Sequence, residues 1–155
     1  MGIEIERKFL VQSDAWRGLV EGVSYRQGYI TVGPPTAVRA RIMGDKAVLT
    51  IKQATSAIVR DEFEYAIPVD EAWTIIRRLC GQRVVEKTRY KIPVGSVVWE
   101  VDEFHGLNEG LVIAEVELLD EHQRIEKPDW VGEEVSGDSR YLNTCLSEHP
   151  YTEWD

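Results

Sequence analysis

Charged residues of like sign recur at alternate positions along several short stretches of this chain, and that spacing is where its chemistry starts. Side chains along a strand alternate between two faces. In Glu4-x-Glu6-x-Lys8, two carboxylates and an ammonium therefore share one face, while Ile3, Ile5, Arg7 and Phe9 take the other. The same rule puts Arg39 with Arg41, Thr50 with Lys52, Lys87 with Arg89, Glu100 with Asp102, and Glu115 with Glu117. Two complementary sets result: the bases Lys8, Arg39, Arg41, Lys52, Lys87 and Arg89, and the acids Glu4, Glu6, Asp102, Glu115 and Glu117. Gathered bases suit a polyanion, and gathered carboxylates suit a hard divalent cation. A small molecule with several phosphates, bound with magnesium or manganese, would satisfy both sets at once.

The elements that must position these residues are mostly strands. Extended stretches are expected at 3–10, 24–32, 36–43, 46–53, 58–68, 83–92, 97–104 and 111–119. Gly44-Asp45 makes a tight turn between the third and fourth, and Gly33-Pro34-Pro35 ends the second sharply. Asp70 reads as the N-cap of an amphipathic helix with Ala72, Ile75, Ile76 and Leu79 on its apolar face, stopped at Gly81. Residues 120–132 read as a polar loop, and a short helix is expected from Arg140 to about Glu148. Consecutive strands on short links favour an antiparallel sheet, and eight of them in a small domain tend to close. The expected fold is mainly β (α+β): a closed eight-stranded antiparallel β-barrel with a few external helices.

Alternating charge usually marks a solvated face over an apolar core. Here the opposite faces carry Trp99, Val101, Phe63 and Tyr65, bulky for a narrow eight-stranded interior and suited to packing beneath helices and loops. The charges are therefore expected inside the barrel. Such an interior is unfavourable without water and counter-ions, so function rather than stability would maintain it.

Composition narrows the field further. A length of 155 residues favours a single domain over 1–155, and 43% hydrophobic residues with five Trp exclude disorder. A net charge of -9 argues against nucleic acid or an anionic membrane as partner. Cys80 and Cys145 lie far apart without metal-ligand spacing and read as free thiols of a reducing compartment. The chain opens into a charged strand with no apolar signal core, so a cytoplasmic protein is expected. An exposed strand edge or the Trp-rich face could support a homodimer. His105, His122 and His149 stand alone in loops, and no nucleophilic triad, phosphate-binding glycine loop or dinucleotide fingerprint is present.

The ordered set of motifs resembles the CYTH, or triphosphate tunnel metalloenzyme, superfamily. Glu4-x-Glu6-x-Lys8, Arg39-x-Arg41, Leu49-Thr50-Ile51-Lys52, Glu86-Lys87-Thr88-Arg89-Tyr90, Glu115-Val116-Glu117 and a terminal Gly132-Glu133-Glu134-Val135 with Arg140-Tyr141-x-Asn143 follow in its sequence. The resemblance runs along nearly the whole chain and is similar to the short bacterial members. It implies a tunnel in which Glu4, Glu6, Glu115 and Glu117 hold Mg2+ or Mn2+, with Asp102 assisting. Lys8, Arg39, Arg41, Lys52, Lys87 and Arg89 would grip phosphates, and Arg140 could close on the substrate. Tyr29, in Arg26-Gln27-Gly28-Tyr29, would pair with Lys8 near the attacking water. Glu62 and Glu64 would bind a second metal or orient the bases. The implied activity is hydrolysis of inorganic tripolyphosphate to pyrophosphate and phosphate. Thiamine triphosphatase and class IV adenylyl cyclase are alternatives on the same fold, and a non-catalytic polyphosphate- or nucleotide-binding module is the alternative of another class.

Overall fold

The computed structural model describes residues 2–154. The single-domain expectation over 1–155 includes Met1 and Asp155, which lie outside the described residues. The strands are β1 (Gly2–Val11), β2 (Val23–Thr31), β3 (Thr36–Met43), β4 (Lys46–Ala54), β5 (Val59–Ala66), β6 (Val84–Val94), β7 (Val97–Phe104), β8 (Val112–Glu117) and β9 (Val131–Glu134). They form one antiparallel sheet in the order β5-β4-β3-β2-β6-β7-β8-β1-β9. Pairing of Ile3 with Asp61 and Ile5 with Val59 brings β1 back to β5 and closes the eight-stranded barrel. The expected fold is the observed one, with one strand more.

That extra strand corrects the loop expected over 120–132. β9 pairs with the second half of β1, Phe9 opposite Glu134 and Val11 opposite Val131. Four residues are too few to show a period of two in sequence, yet Val131 is buried against the first strand. Gly44 has φ +59 and Asp45 does not take a positive φ, the pattern of a type II′ hairpin turn that leaves Met43 opposite Lys46.

Helix α1 (Val69–Leu79) covers Ala40, Ile42 and Ala47 with Ala72 and Ile76. Its cap corrects another expectation. Pro68 precedes the helix in extended geometry and Ala72 N donates to its carbonyl, so Asp70 lies inside the first turn. Helix α2 (Asn143–Glu148) is likewise shorter than expected, because Ser139–Tyr141 forms a separate 3-10 turn with Leu142 extended after it.

The apolar core lies outside the barrel and at one end of it. Trp99 and Val101, on the outer face of β7, pack with Phe9, Trp16, Val116 and Trp130; Trp99 meets Phe9 at 5.3 Å between ring centroids, edge to face. This cluster withdraws three of the five tryptophans from the surface, so the Trp-rich face imagined as a dimer surface is not exposed. Phe63 and Tyr65 correct the packing expectation: they are 46% and 56% exposed on the outer face of β5, beyond the cluster that α1 covers. A further cluster of Val85, Phe104, Leu111, Ile113 and Leu146 sits on the face that carries Lys87 and Asp102 farther along the same strands. It plugs one end of the barrel.

Close packing of α1 depends on Gly28 in β2. A methyl group there would meet Cys80 Sγ at 2.8 Å and Ile76 at 3.2 Å, so the helix end could not keep its seat. Gly28→Ala is therefore expected to lower unfolding free energy by about 1–3 kcal/mol in a denaturant titration, without changing the barrel's strand content by circular dichroism.

Candidate active site

The charged faces of the strands do turn inward, around a cavity of about 440 Å³. At its apolar end, β7 contributes Asp102, which has no solvent exposure. A carboxylate there must be compensated. Arg89, its direct cross-strand neighbour on β6, donates Nε to Oδ1 at 2.7 Å and Nη2 to Oδ2 at 2.8 Å, and Lys87 Nζ donates to Oδ2 at 2.7 Å. Burial pushes the Asp102 carboxyl up, but Arg89 and Lys87 together hold it below the usual range. Lys87 is less comfortable: burial, with Arg89 and Arg41 nearby, brings its ammonium down to about 7 against the attraction of Asp102.

Glu115 of β8 stands opposite both Lys8 and Glu100 in the sheet. It accepts from Lys8 Nζ at 2.9 Å and lies 3.7 Å from Arg89 Nη2. These cations overcome burial and keep Glu115 well below the ordinary carboxylate value. Burial likewise opposes the Lys8 charge, yet Glu115 and Glu6 raise its pKa, so Lys8 stays an ammonium.

Carboxylates outnumber their compensation toward the other end. Glu4 holds Lys52 at 2.9 Å, with Glu62 3.9 Å from the same ammonium. The pair divides its titration: Lys52 and a hydrogen bond from Glu62 outweigh burial to bring Glu4 down to about 2, whereas burial and Glu4 raise Glu62 to about 8. Glu6 lies 3.8 Å from Lys8 and 3.7 Å from Arg60; burial and the neighbouring Glu115 still push it up to about 7. Among the described residues no three carboxyl, thiol or imidazole groups form a closed metal cage. The donor chemistry nevertheless fits a hard divalent cation: every donor is an oxygen, and burial together with neighbouring carboxylates raises Glu6 and Glu62 while Glu4 and Glu115 stay ionised.

The opposite wall is basic. Arg39 and Arg41 of β3 and Tyr29 of β2 all line the cavity. Arg39 Nε and Arg60 Nη1 are buried donors with no hydrogen-bond partner among the described residues, which fits an anionic ligand. Tyr29 and Lys8 do not bond to each other. Tyr29 Oη accepts from Gln27 while Lys8 serves Glu115, and both face the same space.

Of the residues expected from sequence, Glu4, Glu6, Lys8, Tyr29, Arg39, Arg41, Lys52, Glu62, Lys87, Arg89 and Glu115 are brought together around the cavity. Asp102 lies behind the lining, occupied by two cations. Glu64 accepts from Thr50 and is 3.8 Å from Arg39, outside the lining. Glu117 sits opposite Glu6, exposed and outside it too. Arg140 is apart from the site, paired with Asp138 at 2.7 Å and lying over the Trp154 ring. Arg60, Gln27 and Asn143 are the important additions. The shared face of Arg60 with Glu62 could have indicated the first and that of Gln27 with Tyr29 the second, while Asn143 was visible only within the terminal Arg140-Tyr141-x-Asn143 stretch. Removing Asp102 would leave Lys87 buried without its carboxylate and Arg89 with only the longer contacts to Glu100 at 3.4 Å and Glu115 at 3.7 Å, so Asp102→Ala is expected to lose about 3–5 kcal/mol of unfolding free energy, measured by denaturant titration.

Comparison with known proteins agrees with this geometry. The CYTH domain model matches residues 2–145. An inorganic triphosphatase of Acetivibrio thermocellus is 54% identical over 151 residues, 97% of each chain. One of Nitrosomonas europaea is 39% identical over 149 residues, covering 93% of this chain and 96% of its own. A solved structure of an inorganic triphosphatase superposes with a TM-score of 0.67 at 36% identity, covering 93% of both chains. Charged strand faces turned into a closed barrel and similarity along nearly the whole length lead to one assignment: the chain belongs to the CYTH-domain family.

Proposed function

We propose that this protein is a single-domain, divalent-metal-dependent triphosphatase that hydrolyses inorganic tripolyphosphate to pyrophosphate and phosphate. The observation that carries the reading is the cavity lining: cations and carboxylates converge there, and Tyr29 is the one aromatic residue among the described lining. Charged groups that recognise phosphate make up the strand walls, while Val32, Pro34, Pro35, Ala37 and Leu142 line the remainder; Trp16 and Trp130, the indoles that could have stacked a purine or thiazole ring, are committed to the core. The two curated relatives named inorganic triphosphatase support the choice of substrate.

Glu4, Glu6 and Glu115 would hold Mg2+ or Mn2+, with Glu62 and Glu117 toward the rim. A cation so held supplies charge neutralisation on the phosphate oxygens. The remaining work belongs to the chain's own side chains. Arg39, Arg41 and Arg89 offer forked donors to phosphate, and Lys8, Lys52 and Lys87 offer point charges. Phosphoryl transfer needs chiefly positioning and stabilisation of spread-out negative charge, which a preorganised basic wall provides. Lys8, kept protonated by Glu115, acts as a fixed charge and not as a base. Tyr29 accepts from Gln27, which leaves its own hydroxyl proton to donate to a phosphate oxygen or the attacking water. No helix of the described residues is long and apolar enough to cross a membrane. Cys80 and Cys145 are free, which supports a cytoplasmic setting. A homodimer would have the exposed Phe63–Tyr65 face available.

A substrate panel with Mg2+ or Mn2+ tests the activity. Phosphate release from tripolyphosphate is expected at least about a hundredfold faster than from thiamine triphosphate or ATP, with no cyclic AMP; the reverse order would refute the assignment. Glu115→Gln removes the negative charge opposite Lys8 and is expected to lower kcat by about 10²–10³.

The metal reading has a test that needs no turnover. Glu6 and Glu62 bind protons more tightly folded than unfolded, so metal-free stability is highest where both are protonated. It is lost as pH rises from 4.5 through about 7 and 8. Lys87, depressed to about 7, acts in the opposite sense only above that value. Between about pH 5 and 7 the thermal midpoint of the metal-free protein should therefore fall. Glu6→Gln should reduce that slope, and added Mg2+ or Mn2+ should raise the midpoint most at the upper end. A flat profile unaffected by metal would contradict the metal site.

A further inference from the structure

Arg41 is held differently from the other cations of the cavity. Lys8 lies 2.9 Å from Glu115, Lys52 2.9 Å from Glu4, Arg60 3.7 Å from Glu6 and Arg39 3.8 Å from Glu64, while Lys87 and Arg89 share Asp102. Among the described residues no carboxylate comes as close to Arg41. Its contacts are neutral: Nε donates to Gln27 Oε1 at 2.7 Å, and the guanidinium lies 5.1 Å from the Tyr25 ring centroid. The same ring faces Arg89 at 5.0 Å, so one aromatic contacts two like charges.

Gln27 has no solvent exposure and does not line the cavity. Its amide can point only one way, because a guanidinium donates and never accepts. With Oε1 toward Arg41, Nε2 must face Tyr29 Oη and Asn143 Oδ1, each at 3.2 Å. Asn143 is oriented by the same logic, since its Oδ1 also accepts from Lys87 at 3.0 Å. One neutral side chain thus touches a phosphate-facing arginine, the tyrosine beside it and the first residue of α2.

We propose that Gln27 is a positioning residue: a neutral hub that fixes Arg41 without compensating its charge and ties it to Tyr29 and Asn143, so that the substrate's phosphate becomes the counter-ion of Arg41. A carboxylate in its place would hold Arg41 just as firmly but would neutralise it before the substrate arrived. The identity of the anion rests on the triphosphatase reading; the holding of Arg41 does not.

Calorimetric titration of the metal-free protein with tripolyphosphate tests this, using Gln27→Met, Gln27→Glu, Arg41→Ala and the double variant Gln27→Met with Arg41→Ala. Gln27→Met keeps the volume and removes every hydrogen bond. It should weaken binding about tenfold in the native background and less than about twofold when Arg41 is already absent. Gln27→Glu should also bind more weakly, with a thermal midpoint lowered by the acceptor-to-acceptor contact it makes with Asn143 Oδ1, and in turnover its effect should fall on KM more than on kcat. Equal losses for Gln27→Met with and without Arg41 would mean a structural role only, and undiminished affinity in Gln27→Glu would refute the need for neutrality. Failure of the wild type to turn over tripolyphosphate would refute the triphosphatase reading, while the binding cycle would still decide the role of Gln27.

Discussion

A carboxylate with no access to water, Asp102, can exist in this barrel only because Arg89 and Lys87 are bonded to it. Breaking such a buried set strands a charge in a poor solvent, which is far more unfavourable than never having assembled it. The rest of the interior follows from the same constraint. Glu115 can be buried because Lys8 reaches it, and Glu4 because Lys52 does. Each pair bridges different strands, so the register of the sheet and the electrostatics of the cavity are one property.

The apolar material then has to go elsewhere. Trp99, Phe9 and Trp130 pack outside the barrel wall, α1 seals another part of that wall, and Val85, Phe104 and Ile113 close one end. This inverts the usual arrangement of a small barrel, in which apolar side chains fill the interior. Stability comes from the outer clusters, leaving the interior free to be poorly balanced. Glu6 and Glu62 hold protons that a divalent cation would displace, and Arg41 keeps a charge that no carboxylate among the described residues pairs with. Those imbalances lie where a metal and a polyphosphate would supply the missing charges.

Much of the fold was legible because a strand's period of two is rigid. The alternation of Glu4, Glu6 and Lys8 needed no tertiary information, nor did the hairpin at Gly44. Asp70 was misplaced as a cap because a proline two residues earlier could take the extended position as well. β9 was missed because four residues carry no measurable pattern. Phe63 and Tyr65 alternate as packed residues do, yet nothing among the described residues covers them.

The sequence by itself determined which face of each strand bears charge and of which sign, since parity is local and sterically enforced. It could not determine depth. Whether a charge on the inward face ends at the floor, in the lining or beyond the rim depends on the stagger of strands distant in sequence. Asp102 therefore ended behind the lining, and Glu117 and Glu64 outside it. Partnership was also a tertiary decision. Arg140 went to Asp138, whereas Gln27, a neutral residue with no charge to draw notice, became the neighbour of Arg41, Tyr29 and Asn143. A hydrogen bond is fixed by position and direction in three dimensions, and the linear order of residues carries neither across 116 positions.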